Sequence, residues 1–155
     1  MNEEKHVVFR LGNESYCMNI DYVCAIEQQY SVIPLPDAPE NVKGMINLRG
    51  EIIPMYSLRS RFHMEEGKRT KETQLLIAKS GDIQLAFEVD AVIGIETVSK
   101  DQRKEVPVIV RSEATSYISG ILDVRGKIVV EISVSNIITE SEWHDIEQLI
   151  QDRSE

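Results

Sequence analysis

Three histidines, two cysteines, two acidic pairs and two Arg-Gly dipeptides are the side chains with which this chain could do chemistry. His6, His63 and His144 stand far apart in sequence, and none belongs to a pair at metal-ligand spacing. No Gly-rich phosphate loop, no Gly-x-Ser-x-Gly elbow and no kinase signature occurs. Asp21 with Glu27, and Asp90 with Glu96, have the composition of acid–base pairs. They recur at matched places in two similar stretches, which favours a structural reading: an Asp at a turn before a strand and a solvated Glu at its end. Cys24 lies in the apolar stretch Val23-Cys24-Ala25-Ile26 and is expected to be a small core residue rather than a nucleophile. Only Leu48-Arg49-Gly50-Glu51 and its echo Val124-Arg125-Gly126-Lys127 hold attention. The glycine can take a positive φ and close a tight turn, which projects the arginine. Such an arginine is either a surface ion-pair partner, contributing at most about 1 kcal/mol, or a contact of the kind favoured at interfaces. No catalytic residue, metal or cofactor is expected.

The composition agrees with a binding role more than with polyanion partners. The chain has 155 residues, 42% hydrophobic and 28% charged, with a net charge of −9. That charge disfavours nucleic acid and anionic membrane surfaces. A small-barrel nucleic-acid binder would need a basic, aromatic-studded face, and one Trp, five Tyr and three Phe do not supply it. A small hydrolase would require dispersed residues to converge in a polar cleft. The opening Met-Asn-Glu-Glu-Lys-His is charged and has no apolar h-region, so no signal peptide is expected. No run long enough to span or insert into a membrane is present. Two cysteines, with six residues between them and without a histidine cluster, fit a reducing cytoplasm.

The elements that must position these residues are mostly strands. Val7–Leu11, Gly12-Asn13 and Tyr16–Ile20 predict a hairpin; Leu75–Ala78, Ser80-Gly81-Asp82 and Leu85–Val89 predict another. Asp21–Glu27 follows the first as Asp90–Glu96 follows the second, and Gly44–Ile53 aligns without gaps on Gly120–Val129. Three like elements in one order indicate an internal duplication, with copies at about residues 7–62 and 75–138 joined through His63–Thr73. Each copy, at about 60 residues, is too small to bury a core alone, so the two are expected to pack together or exchange strands around one shared core. Asp37-Ala38-Pro39-Glu40 predicts the capped start of a short helix ending near Gly44, and Ser99-Lys100-Asp101-Gln102 a weaker one. Thr139–Glu142 caps a C-terminal helix at about residues 140–151, placing Trp143, Ile146, Leu149 and Ile150 on one face to dock on the strands.

Val8-Phe9-Arg10-Leu11-Gly12 through Tyr16 and Ile20, and above all Val42-Lys43-Gly44-Met45-Ile46-Asn47-Leu48-Arg49-Gly50-Glu51-Ile52-Ile53-Pro54-Met55-Tyr56-Ser57-Leu58-Arg59, closely resemble CheW-like domains. Val89-Asp90-Ala91-Val92 and Ile121 to Ile138 resemble pieces of the second half of that family, so the resemblance runs over about residues 6–138. It implies a mainly β fold: one CheW-like unit over residues 1–155, made of two small five-stranded SH3-like barrels with exchanged strands, short helices and a C-terminal helix. It also implies a non-catalytic, cytoplasmic scaffold bridging the regulatory domain of the histidine kinase CheA to the cytoplasmic tip of chemoreceptors, in arrays under the membrane. A relative serving a different array, such as one controlling pili, is the alternative. Carried over to this chain, the resemblance implies partner-binding residues at Val23, Ile26, Glu27, Gly44, Asn47, Arg49 and Glu51. Three positions depart from the family pattern: Ala25 replaces a Glu often near the arginine, Ser57 replaces an Asp before Leu-Arg, and Glu131 occupies an aliphatic strand position. Since alternate strand residues share a face, Glu27 is expected to stand in for the missing carboxylate and orient Arg49.

Overall fold

Gly12 and Gly81 adopt φ of 61° and 62°, and each turns the chain back on itself within two residues. In the computed structural model, which describes residues 3–107 and 115–154, these turns join β1 (Glu4–Leu11) to β2 (Glu14–Asn19) and β7 (Gln74–Ser80) to β8 (Ile83–Val89). Each hairpin is followed by strands in one order: β3 (Val23–Glu27), β4 (Val32–Ile33), β5 (Val42–Leu48) and β6 (Glu51–Tyr56), then β9 (Ala91–Val98), β10 (Arg103–Lys104), β11 (Ile118–Val124) and β12 (Lys127–Ile132). Residues 108–114, inside the second expected copy, lie outside the described residues.

The strands form two six-stranded sheets. Sheet I has the order β10-β11-β12-β2-β1-β9 and sheet II the order β3-β7-β8-β6-β5-β4. Exchanging each strand for its repeat converts one order into the other reversed. The duplication and the strand exchange are therefore both present: each opening hairpin sits among the strands of the other copy. The expected main strands are extended by the two-residue β4 and β10 at one edge of each sheet. Parallel pairing of β12 with β2, and of β6 with β8, joins each hairpin to its host.

Alternation then builds the interior. Met18 and Phe87 point from the hairpins into a core between the sheets, which also holds Phe9, Leu11, Tyr56 and Leu76. Their neighbours Cys17 and Ala86 point the other way, into smaller clusters belonging to sheet I (Val8, Val98, Leu122, Val129) and sheet II (Ile46, Ile53, Met55, Leu75, Ile77). Among the described residues the shared core is thus the largest of three clusters. Each fully buried side chain of this size contributes about 1.5–3 kcal/mol. Phe9, Tyr16, Phe62 and Tyr117 stack in a ladder beside it, with centroids 6.0, 5.3 and 4.9 Å apart.

Short helices close the structure. Ser57 caps α1 (Leu58–Arg61), its Oγ accepting from Ser60 N at 3.1 Å. Ser133 caps α2 (Val134–Ile137) in the same way. The third helix, α3 (Glu140–Ser154), begins with the expected capping box: Thr139 N donates to Glu142 Oε1 at 3.0 Å and Glu142 N to Thr139 Oγ1 at 3.1 Å. Ile146 is buried, and Trp143, Leu149 and Ile150 pack against the shared core. Ser99 and Gln102 form a capping box on a single 3-10 turn, Lys100–Gln102.

Two expectations fail. Asp37–Glu40 is not a helix: Asp37 and Asn41 take φ of 59° and 71°, and Val42 N donates to Pro39 O in a turn that leads directly into β5, where Gly44 lies. Cys24 is exposed rather than core, because β3 is an edge strand that buries only its Val23, Ala25 and Glu27 face; the buried cysteine is Cys17.

Candidate interaction site

The turn between β5 and β6 is built by two left-handed residues, Arg49 at φ 53° and Gly50 at φ 89°. Positive φ at both central positions defines a type I′ hairpin turn, matched to the twist of its strands. Asn47 steadies it, its Oδ1 accepting from Gly50 N at 3.0 Å. Arg49 then projects with its side chain 79% exposed, and its Nη2 donates to Glu27 Oε1 at 3.3 Å. The carboxylate expected to replace the missing family Glu is thus the one that meets the arginine. Ala25, on the same face, packs into the cluster of sheet II.

The repeat reproduces this arrangement. Arg125 and Gly126 take φ of 54° and 80°, Asp123 Oδ1 accepts from Gly126 N at 2.9 Å, and Arg125 Nη2 lies 3.1 Å from Glu96 Oε1. Glu96 is therefore paired too, and not merely solvated.

The other expected residues divide into surface and frame. Ile26 is exposed on the outer face of β3, and Glu51 is exposed at the start of β6. Val23 is half-buried against the shared core, which puts it at the junction of the two sheets. Gly44 is buried at a bulge in β5; a Cβ there would lie 2.5 Å from Ile33 O, so its part is to let β4 approach. Sequence reasoning missed Ile52, exposed opposite Asn47 in the hairpin, and the second-copy isoleucines Ile93, Ile95 and Ile128. Alternation within β6 and β9, with the repeat offset, is the signal that would have found them.

Two further polar clusters are structural. Asp90, between β8 and β9, accepts from Gly12 N at 2.8 Å and forms an ion pair with Arg59 of α1, while Arg10 lies near. Burial pushes its carboxyl up, but the Arg59 and Gly12 hydrogen bonds and both guanidinium charges win, so it ends below the usual carboxylate range. Asp21, its repeat counterpart, is exposed. The second cluster is inside sheet I. Arg103 grips Glu131 through both oxygens at 2.7 and 2.9 Å, Ser119 Oγ donates at 2.8 Å, and fully buried His6 lies 3.3 Å away through Nε2. Burial again raises the Glu131 carboxyl, yet the Arg103 and Ser119 hydrogen bonds and the charges of Arg103 and His6 hold it below its ordinary value. Beside it, burial first and the Glu131 charge second push the Cys17 thiol up, which leaves it inert. Glu4, His6 and Glu131 bring ligand atoms within 4.8 Å of one another. Arg103 already binds both carboxylates, at 3.2 Å in the case of Glu4, so this is an ion network and not a metal centre. Among the described residues no helix is long and apolar enough to cross a membrane.

Comparison with known proteins agrees with this architecture. A family model described as CheW-like domain matches residues 5–142. "Chemotaxis protein CheW" of Rhizobium meliloti is 29% identical over 136 residues, covering 88% of each chain. The protein of the same title from Treponema pallidum is 28% identical over 155 residues, covering 96% of this chain and 91% of its own. The crystal structure titled "scaffolding protein TtCheW" from Thermoanaerobacter tengcongensis superposes with a TM-score of 0.80 at 28% identity, covering 90% of this chain and 94% of that one.

Proposed function

The chain belongs to the CheW-like family, a family of chemotaxis coupling and scaffold proteins, and from that premise we propose that it holds chemoreceptors and the histidine kinase CheA together without chemistry of its own. The receptor's cytoplasmic tip and the kinase's regulatory domain are its partners, met at the cytoplasmic side of a receptor array. The observation that carries this reading is the Arg49–Glu27 pair. An arginine 79% exposed on a turn adds little to folding through one solvent-screened contact. An arginine fixed by its turn and oriented by a carboxylate is, however, suited to an interface. Exposed Ile26 and Ile52, on the two elements the pair joins, supply the apolar surface that such an arginine borders.

Reconstitution tests it. The purified chain is added to membranes carrying receptor and to CheA from the same cell, and kinase co-sedimentation and phosphorylation are measured. The chain should raise both only when receptor and kinase are present together, and Arg49→Glu should abolish the increase while the protein stays folded. Unchanged stimulation by Arg49→Glu would remove the site, and no stimulation by the unaltered chain would remove the function.

A further inference from the structure

The two sheets share one frame, yet their interiors differ in chemistry at three matched positions. His6 stands opposite Glu96 across β1 and β9, as Leu75 stands opposite Glu27 across β7 and β3. Glu131 lies beside Cys17 across the parallel pair, as Met55 lies beside Ala86. Arg103 pairs with Leu122 as Val32 pairs with Ile46. Gly120 makes room for the Arg103 guanidinium and for Glu131 Oε1, as Gly44 makes room for Val32 Cγ1. Sheet I therefore carries His6, Glu131 and Arg103 where sheet II carries Leu75, Met55 and Val32.

This difference bears on partner choice within the fold. Each sheet joins a hairpin from one copy to the strands of the other. Because the copies share a frame, a second molecule offers each of them a like partner: first copy with first copy, second with second, exchanging hairpins between chains. Like-with-like pairing would bury His6 against Met55 and Val32, away from Glu131, and leave it only Glu4 of its own strand as a carboxylate partner. It would also set Leu75 against Glu131 and Arg103. Arg103 and Glu131 would keep each other, but the buried His6 imidazole and the Glu131 carboxylate would each lose the other and face apolar side chains. A buried polar group that loses a partner is unfavourable; a buried ion pair, by contrast, adds little over a well-packed apolar trio. We propose that the His6–Glu131–Arg103 network is a pairing lock: it makes the first copy accept only a second copy, and the tether through residues 63–73 makes that partner the one in the same chain.

The test is refolding of the full chain from urea at low and high protein concentration, read by size-exclusion chromatography with light scattering. His6→Leu/Arg103→Val/Glu131→Met gives sheet I the interior of sheet II, and Glu4, at the surface, remains solvated. This variant should fold with a urea midpoint at or above that of the unaltered protein. Its dimer fraction should rise with refolding concentration, by about tenfold or more over the unaltered chain, as expected when a discrimination of 1.4 kcal/mol or more is lost. The dimers should persist on dilution, because exchanged strands must unfold to separate. His6→Leu/Leu75→His goes further: it matches hairpins to like copies, so dimers should become the main product. The proposal is overturned if both variants refold as monomers in the unaltered proportion, or if their dimers dissociate at once on dilution. Loss of the fold by the triple variant would also overturn it, because the network would then be needed for stability rather than for choice.

Discussion

Arg49 holds a left-handed backbone, a conformation that costs a non-glycine residue about 1–2 kcal/mol, and its side chain gains only an exposed ion pair in return. A residue chosen for the fold alone would be Asn or Gly, the residues preferred at this position of a type I′ turn. Arg49→Asn should therefore leave stability unchanged or raise it by up to about 1 kcal/mol. Its affinity for receptor or kinase should fall by about 2 kcal/mol, as for an interface arginine; urea unfolding and titration binding on one preparation separate the two effects. In a double-mutant cycle, Glu27→Arg should restore part of the binding lost in Arg49→Glu, and strictly additive effects would show that the pair is not coupled. The pair was legible in the sequence because strand alternation puts Glu27 on the face of Ala25. Cys24 was misread for a related reason: Val23 to Ile26 is an apolar run, but an edge strand turns half of such a run outward. The ion network of His6 was not legible at all, since its members come from β1, β10, β11 and β12, far apart along the chain.

Among the elements, α3 is fixed by more than its apolar face. Glu142 closes the capping box and also accepts from Tyr56 Oη at 2.9 Å and Asn41 Nδ2 at 2.8 Å, both from the first copy. Burial and the Glu142 charge push the Tyr56 hydroxyl up, so it stays protonated and donates. Thr139→Ala removes only the cap and should destabilise by about 1 kcal/mol. Glu142→Ala removes the cap and both charge-assisted bonds, leaving Tyr56 Oη only its longer 3.5 Å contacts with Asn41 Nδ2 and Ile137 O, and should destabilise by about 2–3 kcal/mol. Trp143, the single tryptophan, packs on the shared core and reports on the docking. In Glu142→Ala its fluorescence should change at lower urea than the β-sheet circular dichroism signal does; coincident transitions would show that α3 is held by its apolar face alone. Thr139–Glu142 announced this helix, and the tertiary bonds of Glu142 reinforce the same choice. Asp37–Glu40 carries similar cap residues, but the apolar residues after it, interrupted by Gly44, pair as a strand. There the left-handed turns at Asp37 and Asn41 deliver the chain to β5 instead.

For the whole molecule, the repeat announced two like halves, and their exchange followed from how little each could bury alone. What pattern did not disclose is that the halves differ in how they answer acid. Sheet II has Met55, Leu75 and Val32 where sheet I has Glu131, His6 and Arg103, so of these matched interiors only that of sheet I holds a carboxylate. The Glu131 carboxyl is held below its ordinary value, chiefly by Arg103 and Ser119 against the opposing effect of burial. A carboxyl depressed in the folded state contributes stability that is fully present above its unfolded pKa, about 4.3, and lost as pH falls through the lower folded value. Glu131→Gln keeps the shape but not the charge, and should lower stability at pH 7 by about 1.5–3 kcal/mol, the range for hydrogen bonds to charged groups. That deficit should hold from pH 7 to about 5 and shrink below about 4, as the unaltered protein is protonated at the same oxygen. Asp90, also depressed, adds its own acid loss to both proteins and cancels in the comparison. Urea unfolding of the two at pH 7, 5, 4 and 3 measures the difference directly. A deficit that stays constant to pH 3 would mean that Glu131 stabilises the fold by its shape and not as an anion. Convergence would locate the acid-labile half of the molecule in sheet I.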